Sequence, residues 1–498
     1  MAAHDPFAPL LRRRRWSARR DRWWRTLTRP LRPTRLAPRR GGRPGLLLVA
    51  VDTLRADHAF SPETAPALQR LAATGLTCRR VQATAPWTLP SFASALTGLA
   101  PCRHGAGMRG AVRNMAETPP AHLAGGVTTL AQHLADHGYA TAAVVANPFV
   151  GFGLERGFQW YRYRNHDAAD VAAAGLDWIR AHGNRPFFCF LLLNDPHEPT
   201  LPPPDLLADE LRRAGRDPAA VAPRVLRALA AWGDPAAGVP HLGRHPDPDD
   251  PALADALALK RILYRAAVRH VDAVLQRLLA VLERWGLADT TLVSVISDHG
   301  EEFREHAAVE SAWDHDPRGL VGIGHGHTLF GELLHVPWIA RGPDLPAGTE
   351  LESPLSLMDV APSLCRWLDV PELPLAGHPA WLTGRALDPA APAAAGESPR
   401  LLPAENIAYG PDLVAVSDGR WRLTAPRDGE RVLWLSDLAD DPAETRDHQA
   451  TAPAERDRLL AAVRRWREET GGDGGTGGPG WEAMSARVRR QLEELGYA

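Results

Sequence analysis

Leu46-Leu47-Leu48-Val49-Ala50-Val51, running straight into Asp52-Thr53-Leu54-Arg55-Ala56-Asp57-His58, is the stretch whose reading decides the fold. Six apolar residues in succession read as a strand buried on both faces, because a strand with one wet face would alternate. Polar residues just past such a strand lie where open α/β sheets bind their ligands. The same arrangement occurs twice more. A strand at Pro186–Leu193 ends in Asn194-Asp195-Pro196-His197-Glu198-Pro199, and one at Thr291–Ile296 ends in Ser297-Asp298-His299-Gly300-Glu301-Glu302. A fourth polar segment, Gly324-His325-Gly326-His327, precedes an apolar run at Leu333–Ile339.

Helical patterns fall between these strands. They are expected at Ala65–Thr74, at Thr128–Asp136 with Gly138 as the stop, and at Leu253–Trp285, where Tyr264, Val271, Val274, Leu278 and Leu282 share a stripe. Another strand is expected at Ala140–Ala146. The fold class that follows is α/β: a large mixed, mostly parallel sheet sandwiched by helices, with a small C-terminal antiparallel β subdomain. Short strands at Leu413–Ser417, Trp421–Thr424 and Val432–Leu435 supply that subdomain. The expected organisation is an Arg-rich tail over 1–44, a catalytic domain over 45–385, a β-rich subdomain over 400–465, and a Gly-rich hinge with a terminal helix over 466–498. Leu201–Pro251, rich in Pro, Asp and Ala, reads as an excursion between sheet elements, and Ala386–Pro399 as a linker.

The 498 residues carry a net charge of −2, from 57 basic and 59 acidic side chains. That near-neutrality is a cancellation. Residues 1–44 hold 14 Arg against Asp5 and Asp21, so the remainder carries −14. Trp16, Trp23 and Leu27 fall on one face of a helix in that tail, a pattern suited to an anionic membrane surface. A nucleic-acid tail and an unstructured leader are the competing readings, and nucleic acid is disfavoured. No apolar run reaches the length of a membrane span, and no cleavage site follows a signal-like segment. The expected location is therefore cytoplasmic, peripheral to a membrane where the tail engages one. Lys260 is the only lysine. The four cysteines are too dispersed for a zinc knot or a disulfide framework.

Carboxylates and imidazoles converging on one sheet edge suit a divalent metal. Singly, each has a plainer explanation: an Asp after a strand often caps a helix, and a lone His often sits satisfied in a core. The nucleophile candidate lies in Thr88-Leu89-Pro90-Ser91-Phe92-Ala93-Ser94-Ala95-Leu96-Thr97-Gly98, read as a helix capped by Thr88 or Ser91 and ended by Gly98. A hydroxyl at a helix N-terminus also sits where an alkoxide is stabilised. The acidic stretch Glu301–Asp316 reads as a solvated loop.

The chain resembles the sulfatase family of the alkaline phosphatase superfamily over about residues 45–465. The match rests on VDTLRADH (51–58), TLPSFASALTG (88–98), DPHEP (195–199), SDHGEEF (297–303), GHGHTLF (324–330), SLMDVAPSLCRWLDV (356–370) and LSDLADDPAET (435–445). The resemblance implies Asp52, Asp298 and His299 as metal ligands, with Thr88 Oγ beside them. It implies His197 with His325 or His327 at the transferred group or the leaving oxygen. Asp195, with two of those histidines, would be placed at the substrate or at a second metal. Arg55, and also Arg103 or Arg109, would contact the anion.

Departures from the family pattern redirect the chemistry. Typical sulfatases have a cysteine, modified to formylglycine, at the position of Thr88, an arginine at that of Phe92, and lysines around the sulfate. No formylglycine is expected here, and Lys260 lies outside these motifs. His299 replaces an amide, which favours Mn or Zn over Ca or Mg. The resulting expectation is a metal-dependent hydrolase or transferase of phosphoric esters, with phosphodiesters or phosphonate esters as substrates and Thr88 as nucleophile. The substrate would be a small or lipid-derived anionic ester. A sulfuric ester hydrolase is the first alternative and a catalytically degenerate binding protein the second. The sequence does not specify oligomeric state.

Overall fold

Side chains along the first strand point alternately into two separate cores: Leu47, Val49 and Val51 into one, Leu46, Leu48 and Ala50 into the other. The computed structural model describes residues 42–471 apart from 164–166, 234–238, 245–246, 248, 314–315, 376 and 390–399. The tail with Trp16, Trp23 and Leu27, the terminal helix from Trp481 and most of the 386–399 linker lie outside the described residues.

In chain order the strands of the main sheet are β1 (Gly45–Val51), β2 (Leu76–Gln82), β3 (Ala140–Val145), β4 (Trp160–Tyr163), β5 (Phe187–Leu193), β6 (Thr291–Ser297), β7 (His335–Arg341), β8 (Thr349–Leu351) and β9 (Leu355–Ser356). They lie in the order β8-β2-β7-β6-β1-β5-β3-β4, with β9 also pairing with β2. β6, β1, β5, β3 and β4 are mutually parallel, and β7 runs antiparallel to both β6 and β2. The sheet is thus mixed and mostly parallel, as the sequence led us to expect.

The principal helices are α1 (Pro66–Ala73), α2 (Thr88–Thr97), α3 (Leu130–Asp136), α4 (Ala168–His182), α5 (Pro204–Arg213), α6 (Pro223–Ala230), α7 (Pro251–Trp285), α8 (Ala307–Trp313), α9 (Val360–Trp367) and α10 (Pro453–Thr470). α1, α4, α5, α6 and α7 cover one face of the sheet, and α2, α3 and α9 the other. α7 is 35 residues long, because Asp250 caps it, Pro251 occupies its first turn and Gly286 ends it at φ 72°. The excursion between β5 and α7 resolves into α5 and α6 and the loops around them.

β10 (Leu402–Glu405), β11 (Leu413–Ser417), β12 (Trp421–Pro426) and β13 (Trp434–Asp437) form a separate antiparallel sheet. Val414, Val416, Leu423 and Leu435 pack against Leu459, Val463 and Trp466 of α10, while Ala404, Leu413 and Ala415 join the core beneath the main sheet. The small sheet is therefore docked on the body through its second face.

The acidic stretch 301–316 differs from expectation. Glu301, Glu302 and Glu310 are buried rather than solvated. Glu302 and Glu310 lie against the His327 imidazole, whose charge offsets theirs, and burial raises Glu301 well above the usual carboxylate range. His306 exemplifies the arrangement: Nδ1 bonds Glu332 Oε1 at 2.6 Å, Nε2 bonds the Glu444 carbonyl at 3.1 Å, and the ring stacks on Phe330. Glu444, in turn, accepts from Arg422 at 2.8 Å and from Ser436 at 2.6 Å. The network joins the catalytic body to the small sheet.

Burial alone would depress the His306 pKa, but the hydrogen bond and charge of Glu332 outweigh it and lift the imidazole to about 9. Its contribution to stability is complete below the unfolded value of 6.5 and is lost as pH rises through about 9. Thermal melts of wild type and His306→Gln should therefore differ most at pH 6 and converge by about pH 10. A gap that does not change with pH would contradict the assignment.

Candidate active site

Four parallel strands deliver the site. β6, β1, β5 and β3 are neighbours, Val51 is in register with Ser297 and with Leu193, and the residues just past their carboxyl ends are Asp298, Asp52, Asn194 and Asn147. Asp52, Asp298, His299 and Thr88 are all fully buried. Asp52 is steadied by its neighbour. Thr53 has φ 59°, an uncommon conformation for a β-branched residue and one that costs on the order of 1–3 kcal/mol. Tyr264 of α7 holds that turn, donating to the Thr53 carbonyl at 2.6 Å and accepting from Arg55 N–H at 3.0 Å.

His299 Nδ1–H donates to the Gly300 carbonyl at 2.8 Å, which turns Nε2 as the lone-pair nitrogen toward the carboxylates. Nε2 lies 3.5 Å from Asp52 Oδ1, 3.4 Å from Asp298 Oδ2 and 3.4 Å from Thr88 Oγ. Gly300 is required beneath it: a Cβ there would sit 1.9 Å from the Glu332 carbonyl oxygen. Asn147 Nδ2 donates to Asp52 Oδ2 at 2.8 Å and to Thr88 Oγ at 3.3 Å. Thr88 is the first residue of α2 and not its cap, and Ser91 donates to the Ala85 carbonyl at 2.7 Å. The Thr88 hydroxyl is thus left to the site.

This donor set fits a divalent cation. Asp52 Oδ1 and Asp298 Oδ2 are buried without a hydrogen-bond partner, yet each points at the same lone pair. Asp52, Asp298 and His299 present ligand atoms within 4.8 Å of one another. Burial, reinforced by repulsion from Asp298, pushes Asp52 up to about 6, and burial raises Asp298 to about 7. Two such carboxylates resist joint ionisation unless a cation offsets them.

His197 and His325 join this centre. Their rings are 4.8 Å apart, and His325 lies 4.4 Å from the His299 ring. His197 Nδ1–H donates to the Glu198 carbonyl at 2.7 Å, and His325 Nδ1 meets Glu301 Oε2 at 3.2 Å. Burial lowers both imidazoles, so both are neutral at rest.

Other expected residues are placed elsewhere. His327 turns to Glu302 at 3.0 Å and Glu310 at 3.4 Å, and these charges outweigh burial to raise its pKa well above the usual value. It is held as a cation in a closed ion-pair network. Asp195 accepts from Ala168 N–H at 2.8 Å in the first turn of α4 and lies 3.6 Å from His270. It belongs to none of the metal-capable groups among the described residues. Arg55 is tied to Asp57 at 2.9 Å and Glu305 at 2.8 Å, and Arg103 and Arg109 bond the Glu469 and Gly105 carbonyls. Phe92 packs edge-on against Phe190. Lys260, which had seemed remote, lies 2.5 Å from Glu198 inside the DPHEP turn. Asn147 and Lys260 are the residues of this neighbourhood that the sequence did not bring together with it. Asn147 carried a usable signal, a polar residue ending a buried strand.

The sulfatase family profile matches residues 44–370, about two thirds of the chain. The chain belongs to the sulfatase family. Among curated relatives, arylsulfatase K of Bos taurus is 27% identical over 207 residues, 39% of this chain and 34% of that protein. Choline-sulfatase of Rhizobium meliloti is 29% identical over 210 residues, 40% of this chain and 37% of that one. The chain thus spans about a third of the length of these relatives. Solved structures extend the fold likeness. A phosphonate monoester hydrolase from Silicibacter pomeroyi superimposes with a TM-score of 0.61 at 19% identity, covering 86% of this chain and 96% of that one. A protein solved with its substrate D-glucosamine-2-N,6-O-disulfate gives a TM-score of 0.64 at 16% identity, covering 86% and 98%.

Metal affinity should follow the two raised carboxylates. Calorimetric titration with Mn²⁺ should show strong binding at pH 8 and a decline of about tenfold or more per pH unit below pH 6, as protons compete for Asp52 and Asp298. Asp298→Ala should abolish that binding. A pH-independent affinity, or binding that survives the substitution, would contradict the site.

Proposed function

We propose that this sulfatase-family protein is a metal-dependent hydrolase of phosphoric esters, acting on phosphodiesters or phosphonate esters through Thr88. One observation carries the reading: a hydroxyl with no route to formylglycine, free of any capping duty, stands among two partnerless carboxylate oxygens and an imidazole lone pair. A divalent cation on Asp52, Asp298 and His299 would lower the pKa of Thr88 and offset charge on the phosphoryl oxygens. The imidazole donor favours Mn or Zn over Ca or Mg.

The protein's own groups do the rest. Asn147 orients the Thr88 oxygen and holds Asp52 in place. Thr88 Oγ attacks phosphorus as the bond to the leaving oxygen breaks, giving a phosphoester of Thr88. The Thr88 hydroxyl proton is released to solvent, His197 takes up one proton from solvent as the anionic ester binds, and the leaving oxygen departs as the alcohol after taking that proton from His197. His197 is neutral in the free protein, and an anionic ester beside it restores its proton affinity. Water then hydrolyses the Thr88 ester and resets the site. Burial of Phe92, where sulfatases carry arginine, removes a charge that sulfuryl chemistry would use in the family's usual route.

Aryl phosphodiester, phosphonate, phosphomonoester and sulfate substrates should be compared with one preparation. Turnover should favour the phosphodiester or phosphonate, and Thr88→Ala should reduce it by about a thousandfold or more while metal content is retained. Preference for the sulfate would support the sulfuric-ester alternative, and activity unaffected by Thr88→Ala would remove Thr88 from the mechanism.

A further inference from the structure

In a chain where every other basic side chain is an arginine, the single lysine is also one of its most buried residues: Lys260, on α7, is 1% exposed. A buried ammonium is costly unless its donors are all spent on acceptors. Here they are. Nζ lies 2.5 Å from Glu198 Oε1, 3.0 Å from the Ala231 carbonyl and 3.4 Å from the Ala230 carbonyl. Ala230 and Ala231 form the end of α6, and the positive charge meets the negative end of the helix. Three acceptors converging on one point suit a compact ammonium and exclude a planar guanidinium of greater reach.

Glu198 connects this anchor to the reaction. Its backbone carbonyl receives the Nδ1 proton of His197 at 2.7 Å, and its side chain is the one Lys260 holds. Thr200 N–H bonds the Ala230 carbonyl at 2.9 Å, and its hydroxyl bonds the Pro196 carbonyl at 3.2 Å, so the same turn is closed on itself around Glu198 and stitched to α6 just beyond it. We propose that Lys260 is a positioning residue for leaving-group protonation: by pinning Glu198 and the end of α6 it fixes the tautomer and direction of His197, and couples that histidine to the 201–251 excursion. The inference rests on the functional reading above, in which His197 protonates the leaving oxygen.

A proton donor matters most when the departing alkoxide is a poor leaving group. Lys260→Met and Lys260→Arg, both checked for wild-type melting and metal content, should be assayed on a matched alkyl and p-nitrophenyl pair of the ester class that wild type turns over. The expected result is a fall in kcat of roughly 10-fold or more on the alkyl ester, a change of under about threefold on the p-nitrophenyl ester, and an unchanged KM. Equal losses on both esters, or no loss, would overturn the proposal. Long-range ¹H–¹⁵N spectra of histidine-labelled protein, with His197 assigned through His197→Asn, supply a readout independent of turnover. The wild type should show a neutral, Nδ1-protonated His197 and Lys260→Met a mixture of tautomers; an unchanged tautomer would equally overturn the assignment. Absence of wild-type turnover would count against the proposed function alone, since the tautomer shift stands apart from it.

Discussion

Two carboxylates buried side by side, each with one oxygen left without a hydrogen-bond partner, are the constraint on which this structure turns. Asp52 and Asp298 arrive there because β1 and β6 are adjacent, parallel and in register up to Val51 and Ser297. Isolated, the pair would be expensive, and burial accordingly raises both toward neutrality. The surrounding features make sense as means of holding the pair: the strained turn at Thr53, the Tyr264 hydroxyl bridging Thr53 and Arg55, and the glycine at 300 that admits the Glu332 carbonyl beside it. Such an arrangement is stable as a cation site and strained as anything else.

Around this centre the charge is arranged in shells that the sequence only half reveals. His197 and His325 stay neutral and close to the carboxylates, whereas His327, two residues further on, is a cation held by Glu302 and Glu310. Burial is outweighed by the neighbouring His327 in holding Glu310 down to about 2. The network beyond, through His306, Glu332, Glu444 and Arg422, ends on the small sheet. The histidine loop is thereby braced by the C-terminal subdomain, which gives that subdomain a mechanical part in shaping the pocket.

Strand-end reading brought Asp52, Asp298 and His299 to one sheet edge, because continuous apolar runs identify buried parallel strands, while Thr88 was read from the start of a helix. It could not tell where a side chain turns after the strand ends. Asp195 and His197 are two residues apart, yet one accepts from the first turn of α4 and the other packs against His325. Arg55 sits in the most telling motif of the chain and spends its charge on Asp57 and Glu305. Lys260 was misjudged for the opposite reason: helical periodicity places it on α7, and only the path of α6 brings its partners within reach. β2 escaped notice because Arg79 and Arg80 interrupt its apolar pattern, and α10 because its buried stripe is confined to Leu459, Ala462, Val463 and Trp466.

The fold is shared with solved structures described as a sulfatase and as phosphonate monoester hydrolases, so the fold does not choose between ester classes. The choice rests on the residue at position 88. The most direct test is acid-quench trapping during turnover of an aryl phosphodiester or phosphonate, followed by peptide mass mapping. The account predicts a phosphoryl ester on the peptide carrying Thr88, absent from Thr88→Ala. Turnover with Thr88 unmodified at every quench time, or a label on another residue, would contradict it.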